Sequence, residues 1–303
     1  MSYRHSLDRS LDSARGDEGP STPLGMTRSF GHYVTASFLV CVTSHMHPTL
    51  SSLGLPDLLE DPDALGKLTD EQLDLLANVR DEAADALETD PDNEAHIDTV
   101  YLAHMTLTSA LFLRALMVDV QPQALPPGSV LARSWNGGQL RLVSKNDTAD
   151  MLVPTSTLDV LNNAGLPAVA EPELSFDESP VRLLSLMDIP EDDEDASDEF
   201  FGSFWRIAQN AFGDAICLDE RADGVVVMLD KEWGYYAQQF VNSSIGHFLL
   251  CLEAWRAMEA DTGDDVDTII ETFERAVERI DPAALTEGAF WSDCLDAIEE
   301  EED

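Results

Sequence analysis

The chain has 303 residues, of which 59 are acidic and 17 are basic, so its formal net charge at pH 7 is −42. Nucleic acids and anionic membranes are polyanions that bind basic surfaces, and this charge therefore argues against both as partners of the chain. The hydrophobic share of 44% is that of an ordinary globular protein, which predicts a folded core.

Residues 1–56 differ in charge from the rest of the chain. They carry four acids and four bases, so all of the net negative charge follows Leu55. The apolar run at residues 33–42 is too short to span a bilayer as a helix, and no small-residue cleavage site follows it. We therefore expect residues 1–56 to form a disordered or non-native leader that folding does not require.

Residues 57–125 have the pattern of a helical block. Thr69 and Gln72 have the spacing of a capping box, and apolar residues then recur every three or four positions up to Leu87. A second helix, after Asp92, is apolar over more than half of its circumference, which predicts burial on several sides. His104 in this helix is expected to be a hydrogen-bonded core residue and not a metal ligand.

Residues 126–260 mix the two periodicities of an α+β domain. Val130–Trp135 and Leu140–Ser144 flank an Asn-Gly-Gly turn, which predicts a β-hairpin. A short helix over residues 155–164 is then expected to end at Gly165, since glycine accepts the left-handed conformation common after a helix and Pro167 cannot continue it.

The clearest pattern is strand, strand, strand and capped helix. Ala215–Asp219 and Val225–Asp230 flank the turn Asp223-Gly224, and a third strand ends at Val241. Asn242, Ser243 and Ser244 then supply oxygens that can cap a helix with one apolar stripe. This order predicts an α+β fold with helices packed on one face of an antiparallel sheet, preceded by the helical block and followed by an acidic helical segment, residues 261–303.

Several short strings in residues 150–256 occur in the order found in one known family. They are Gly165-Leu166-Pro167, Phe176, Phe212-Gly213-Asp214, Ile216–Asp219, Gly224-Val225-Val226, Phe240-Val241-Asn242-Ser243-Ser244 and Phe248. In this order they resemble the fourth family of the SUKH superfamily of bacterial immunity proteins, and the F-V-N-S-S string is the most specific of them. The resemblance implies a SUKH-like fold and a non-enzymatic role: binding and neutralising the toxin of a polymorphic toxin system, often a nuclease or a nucleic-acid deaminase.

Backbone conformation and helix capping explain why most of these family residues have the side chains that they have. Asn242 and Ser243 are predicted to cap a helix, Gly165 to end one and Gly224 to turn a hairpin, so the family strings are interpreted as scaffold and not as contact surface. Contact surfaces are more often exposed loops.

The acidic run at residues 188–199 is the predicted contact with the partner. It holds eight acids and no base, and besides Asp188 these are Glu191, Asp192, Asp193, Glu194, Asp195, Asp198 and Glu199. The run lacks the spacing of an EF-hand, because Ser197 stands where that loop needs glycine and Ser203 where it needs glutamate. An acidic loop would speed the encounter with a basic toxin.

Enzyme motifs are missing from the sequence. Gly66-Lys67 lacks the first glycine and the following Ser or Thr of a phosphate-binding loop, and there is no G-x-G-x-x-G, H-E-x-x-H or G-x-S-x-G. We therefore expect no catalytic residue, no cofactor and no metal site. The four cysteines, Cys41, Cys217, Cys251 and Cys294, include no C-x-x-C pair and predict free thiols in a reducing cytoplasm.

A second hypothesis concerns the acidity itself. Only three of the 17 bases are lysines, and a lysine-poor, acid-rich chain is also typical of adaptation to a salty cytosol. On this hypothesis the chain is a salt-adapted or phage-like structural or regulatory scaffold that contains the same fold and binds no toxin.

Overall fold

The computed structural model describes residues 47–55, 58, 61–187, 200–260 and 266–302. Within these ranges the chain is α+β, with helices first, then one antiparallel sheet, then further helices. The predicted fold class is therefore confirmed.

Among the described residues, four helices form the N-terminal part: α1 (Pro48–Ser52), α2 (Pro62–Leu65), α3 (Asp70–Thr89) and α4 (Glu94–Leu116). The capping box that begins α3 is confirmed, because Gln72 N donates to Thr69 Oγ1 at 3.3 Å and Thr69 N donates to Gln72 Oε1 at 2.9 Å. The predicted apolar stripe of α3 is buried, and α4 is buried on several sides as expected. The two helices pack along each other.

This helical part has a core of its own, and the core includes part of the predicted leader. Leu50 and Leu55 are fully buried against apolar residues of α3 and α4. The structure thus differs from the expectation of a leader up to residue 56, because a short helix begun by Pro48 turns Leu50 inward. Residues 1–46 lie outside the described residues.

The predicted hairpin between residues 130 and 144 is wrong. Residues Gly128–Ser134 form a helix, α5, whose first amide donates to Asp159 Oδ2 at 2.6 Å, and α5 packs on the next helix, α6 (Thr155–Asn163). The segment around Arg141 pairs with Leu166 instead, through backbone hydrogen bonds of 2.7 and 2.9 Å. Leu131, Ala132 and Arg133 are good helix formers, and the contact with α6 supports the helix that they form.

That pairing explains the glycine after α6. Gly165 has the predicted left-handed conformation, with φ of +88°. A Cβ atom there would also lie 2.3 Å from the carbonyl oxygen of Arg141. Gly165 therefore both ends the helix and permits the close approach of two backbone segments.

Six strands of the described residues form one sheet in sequence order. They are β1 (Val169–Ala170), β2 (Leu174–Arg182), β3 (Phe204–Gln209), β4 (Ala215–Asp219), β5 (Val225–Leu229) and β6 (Gln238–Asn242). All neighbouring strands are antiparallel. Because the strands follow one another in sequence order, β1 and β6 are the two edge strands of the sheet. The hairpin β4–β5 around Gly224 is confirmed, while β1, β2 and β3 were not predicted from the sequence.

Three helices follow the sheet: α7 (Ile245–Glu259), α8 (Val266–Ile280) and α9 (Phe290–Glu302), with a 3₁₀ turn at Pro282–Leu285 between the last two. Apolar residues of all three helices join the core of the sheet, and aromatic rings connect them: Trp255 lies 5.1 Å from Phe273 and 5.6 Å from Trp291, between ring centroids. Fully buried Trp291 belongs to α9, so the acidic C-terminal segment completes the main core.

Truncation at the N-terminus tests the role of α1. Removing residues 1–46 should leave the free energy of unfolding unchanged, whereas removing residues 1–55 should lower it by about 4 kcal/mol or more, because two fully buried leucine side chains are lost. Urea unfolding of both truncated chains measures the difference. Equal stability of the two would contradict the packing of Leu50 and Leu55.

Candidate functional site

The F-V-N-S-S string forms the junction between β6 and α7, and its polar residues have different tasks. Ser244 is the N-cap of α7, since its Oγ accepts from His247 N at 3.4 Å. The prediction that Asn242 and Ser243 cap this helix is wrong. Asn242 still belongs to strand β6, where it is fully buried, and both residues turn toward the segment that follows α8.

Asp281, directly after α8, is the centre of this arrangement. Its fully buried carboxylate accepts from Asn242 Nδ2 at 3.0 Å, from Ser243 N at 2.6 Å and from Ser243 Oγ at 2.7 Å. The Asn242 side chain in turn accepts from Trp291 Nε1 at 2.9 Å. The string is thus a connector between the sheet and the C-terminal helices, in which Asn242 is fully buried and Ser243 and Ser244 are partly exposed.

The predicted contact residues cannot be placed in the same way. Glu191, Asp192, Asp193, Glu194, Asp195, Asp198 and Glu199 lie outside the described residues. The acidic run that they form connects β2 to β3, and its flanking residues are well held: Arg182 pairs with Glu220 at 2.9 Å and lies 4.2 Å over the ring of Trp205. Phe200 and Phe201 are buried in the core directly after the run.

A cleft of about 620 Å³ lies where α4, the edge strand β6 and α9 meet. Gln238 and Gln239 of β6 line it, together with His104 of α4 and Asp293 of α9. The side-chain oxygens of both glutamines and both ring nitrogens of His104 are buried with no hydrogen-bond partner among the described residues. The wall of the cleft therefore keeps unused hydrogen-bonding groups.

The charge of the cleft is negative. Its lining includes the carboxyl groups of Asp230, Glu287, Asp293 and Asp296 and the guanidinium of Arg80, and Glu287 also pairs with Arg114 at 3.0 Å. His104 adds no positive charge at neutral pH, because burial, helped by nearby Arg80, lowers its pKa to about 4. It stacks on Trp233 with 4.0 Å between ring centroids, so the expectation of a hydrogen-bonded histidine is wrong.

Asp293 is the perturbed acid of the cleft. Burial raises its pKa to about 6; a hydrogen bond of 2.5 Å from Gln239 Nε2 opposes this rise and the nearby charge of Asp296 adds to it. The negative charge of the cleft is therefore complete only above that pH.

Beside the cleft, the turn between β3 and β4 carries an exposed phenylalanine. Asn210 lines the cleft, and its Oδ1 accepts from Phe212 N at 3.0 Å and from Asp214 N at 2.9 Å. Gly213 has φ of +91°, and its carbonyl oxygen accepts from the Tyr235 hydroxyl at 3.3 Å. Phe212 itself is 81% exposed.

Comparison with known proteins identifies the family. The family model described as SUKH-4 immunity protein matches residues 127–297, more than half of the chain. The chain belongs to this family. No curated protein and no solved structure matches it.

The SUKH-4 region is larger than the stretch that carries the resemblance in the sequence. It begins just before α5 and extends through α8 into α9, so Asp281, Trp291 and Asp293 belong to it. The helices α3 and α4 precede it. The cleft thus lies at the border between the SUKH-4 region and the preceding helices.

The described residues include three cysteines as possible reactive groups. Cys217, Cys251 and Cys294 are free thiols, and burial raises the pKa of each, that of Cys294 to about 12, so they stay protonated at neutral pH. In the part of the chain that the structure describes, no group of three His, Cys, Asp or Glu side chains is placed to hold a metal ion, and no helix is long and apolar enough to cross a membrane.

Two substitutions at the β6–α7 junction distinguish connector from cap. Ser244→Ala should cost about 1 kcal/mol of unfolding free energy through loss of a helix cap. Asn242→Ala should cost about 3 kcal/mol, because it removes one of the three donors to the buried Asp281 carboxylate and leaves Trp291 Nε1 without its buried acceptor. Chemical unfolding measures both, and equal costs would contradict the connector.

The pKa of Asp293 is open to direct measurement by NMR titration of its carboxyl carbon. We expect about 6 in the native chain, a lower value in Asp296→Asn, and a higher one in Gln239→Ala, which loses the donor that favours the charged form. Because the folded-state pKa is raised, the contribution of Asp293 to stability is complete below pH of about 4 and is lost as the pH rises through about 6. A wild-type value near 3.8 would contradict its burial.

Proposed function

We propose that this chain neutralises a cognate, basic toxin by binding to it and occluding its active site, without catalysis of its own. The observation that carries the proposal is membership of the SUKH-4 immunity protein family over residues 127–297. The acidity of the chain supports a basic partner, because opposite charge speeds association and helps to select the partner. A nuclease or nucleic-acid deaminase has such a basic surface, since its own substrate is a polyanion.

The acidic run 188–199 is the proposed electrostatic contact. Eight acids within twelve residues follow Arg182 and precede Phe200, and both of these residues are held against the sheet. So high a density of one charge over twelve residues attracts a partner of opposite charge. The free thiols of the described cysteines support action in a reducing cytoplasm, where such a toxin would have to be stopped.

The function is tested with the toxin domain encoded beside this gene. Co-production should restore growth to cells that make the toxin, and the purified proteins should form a stable complex. Toxin released from that complex by denaturation should have an unchanged mass and regain activity on refolding, as occlusion requires. Absence of a neighbouring toxin gene, or of binding, would favour the salt-adapted scaffold, and a modified toxin would indicate catalysis.

The contact is tested by removing charge. The changes Glu191→Gln, Asp192→Asn, Asp193→Asn and Glu194→Gln should lower the association rate constant about tenfold at low salt and leave thermal stability nearly unchanged. The wild-type rate should fall steeply as salt is added. Stopped-flow fluorescence measures these rates.

A matched control carries the same number of neutralised acids elsewhere. Asp267, Glu271, Glu274 and Glu278 are exposed along α8, so their amide variants remove equal charge from another surface. Equal association rates for the two fourfold variants would show that no acidic site is privileged and would remove the role of the loop.

A further inference from the structure

The turn between β3 and β4 combines a highly exposed aromatic side chain with a backbone that hydrogen bonds hold on both sides. Phe212 has the most exposed large apolar side chain among the described residues, at 81%. Exposed apolar residues that are scattered singly over a surface are normal, so exposure by itself does not mark this ring as functional. This one lies on a turn in which the backbone on both sides is held by hydrogen bonds.

Those hydrogen bonds are numerous for so short a segment. Besides accepting from Phe212 N and Asp214 N, the Asn210 side chain donates to Asp214 Oδ2 at 2.8 Å, and Asp214 Oδ1 accepts from Lys231 N at 2.9 Å. The left-handed Gly213 and its bond from Tyr235 complete the turn. The exposed ring therefore projects from a preorganised base, which lowers the entropy that binding would cost.

The position of the ring indicates what it meets. Asn210, which holds the amide of Phe212, also lines the acidic cleft, and the side chain of Lys231 lies against Gly213 of the same turn. An apolar ring beside an acidic recess is complementary to an apolar pocket bordered by basic side chains. A nucleic-acid enzyme has such an environment, because its groove combines basic residues for phosphates with apolar faces for bases.

We propose that Phe212 is the apolar anchor with which this chain enters such a pocket of its toxin, while the cleft beside it receives a basic side chain of the same partner. This inference rests on the proposed function and adds a contact that is independent of the acidic run. Buried aromatic anchors contribute most of the affinity in many protein interfaces, whereas charged loops act mainly on the rate of encounter. The two contacts therefore predict different kinetics.

The test compares two chains that each lose one exposed apolar side chain. Phe212→Ala should weaken the affinity for the inactive toxin domain about 30-fold, through faster dissociation, and the ratio should persist at high salt. Val120→Ala is the matched control: Val120 is 58% exposed and lies in the segment between α4 and α5, outside both proposed contacts. Its affinity should equal that of the wild type, and both variants should keep the wild-type melting temperature.

Several results would overturn the anchor. If the wild type binds the toxin and Phe212→Ala binds it within threefold, the anchor is wrong and the proposed function stands. If the wild type does not bind, both fail. If sedimentation shows that the chain self-associates and that Phe212→Ala abolishes this, the ring serves a second copy of the chain and not a toxin.

Discussion

The carboxylate of Asp281 is the interaction on which the architecture of the main core depends. It lies after α8, far along the sequence from the sheet, and it binds the side chain of Asn242 and the backbone and side chain of Ser243. A buried carboxylate is costly unless its acceptor sites are filled, so the end of α8 must lie against the end of β6. Trp291 joins the same network through Asn242 and brings α9 onto the sheet. The cleft between β6 and α9 exists because of this attachment.

The arrangement of charge follows a related constraint. With so few basic residues, the fold uses several arginines internally: Arg221 binds the fully buried Asp219, Arg206 pairs with Asp177 and Arg182 pairs with Glu220. These pairs lie at the sheet, where an uncompensated acid would be most costly. The exposed surface is left with acids in large excess, as on the outer faces of α3 and α8. The excess of exposed acids therefore supports the proposal of a basic partner.

In the proposed interface, the acidic run raises the association rate and Phe212 contributes the affinity. Acids at residues 188–199 would act over the distance of a Debye length, before contact, and their effect is sensitive to salt. Phe212 acts only after contact, and its effect is insensitive to salt. The proposed neutralisation of a toxin would benefit from both properties, because it has to be fast as well as persistent.

Local signals in the sequence were sufficient for elements that depend on neighbouring residues. The capping box of α3, the left-handed Gly165 and the hairpin around Gly224 were predicted correctly, since short-range hydrogen bonds and the conformational freedom of glycine decide them. The family strings also led to the correct family.

Contacts between distant segments were decided only by the tertiary structure. Gly128–Ser134 forms a helix that packs on α6 where a strand was predicted, and Asn242 has the position of a cap but binds a residue 39 positions away. The cleft and the exposed turn at Phe212 likewise arise where α4, β6 and α9 meet beside the end of β3, far apart in the sequence. Periodicity and propensity describe single elements, whereas the pairing of buried polar groups depends on which elements meet, and that is a property of the folded chain.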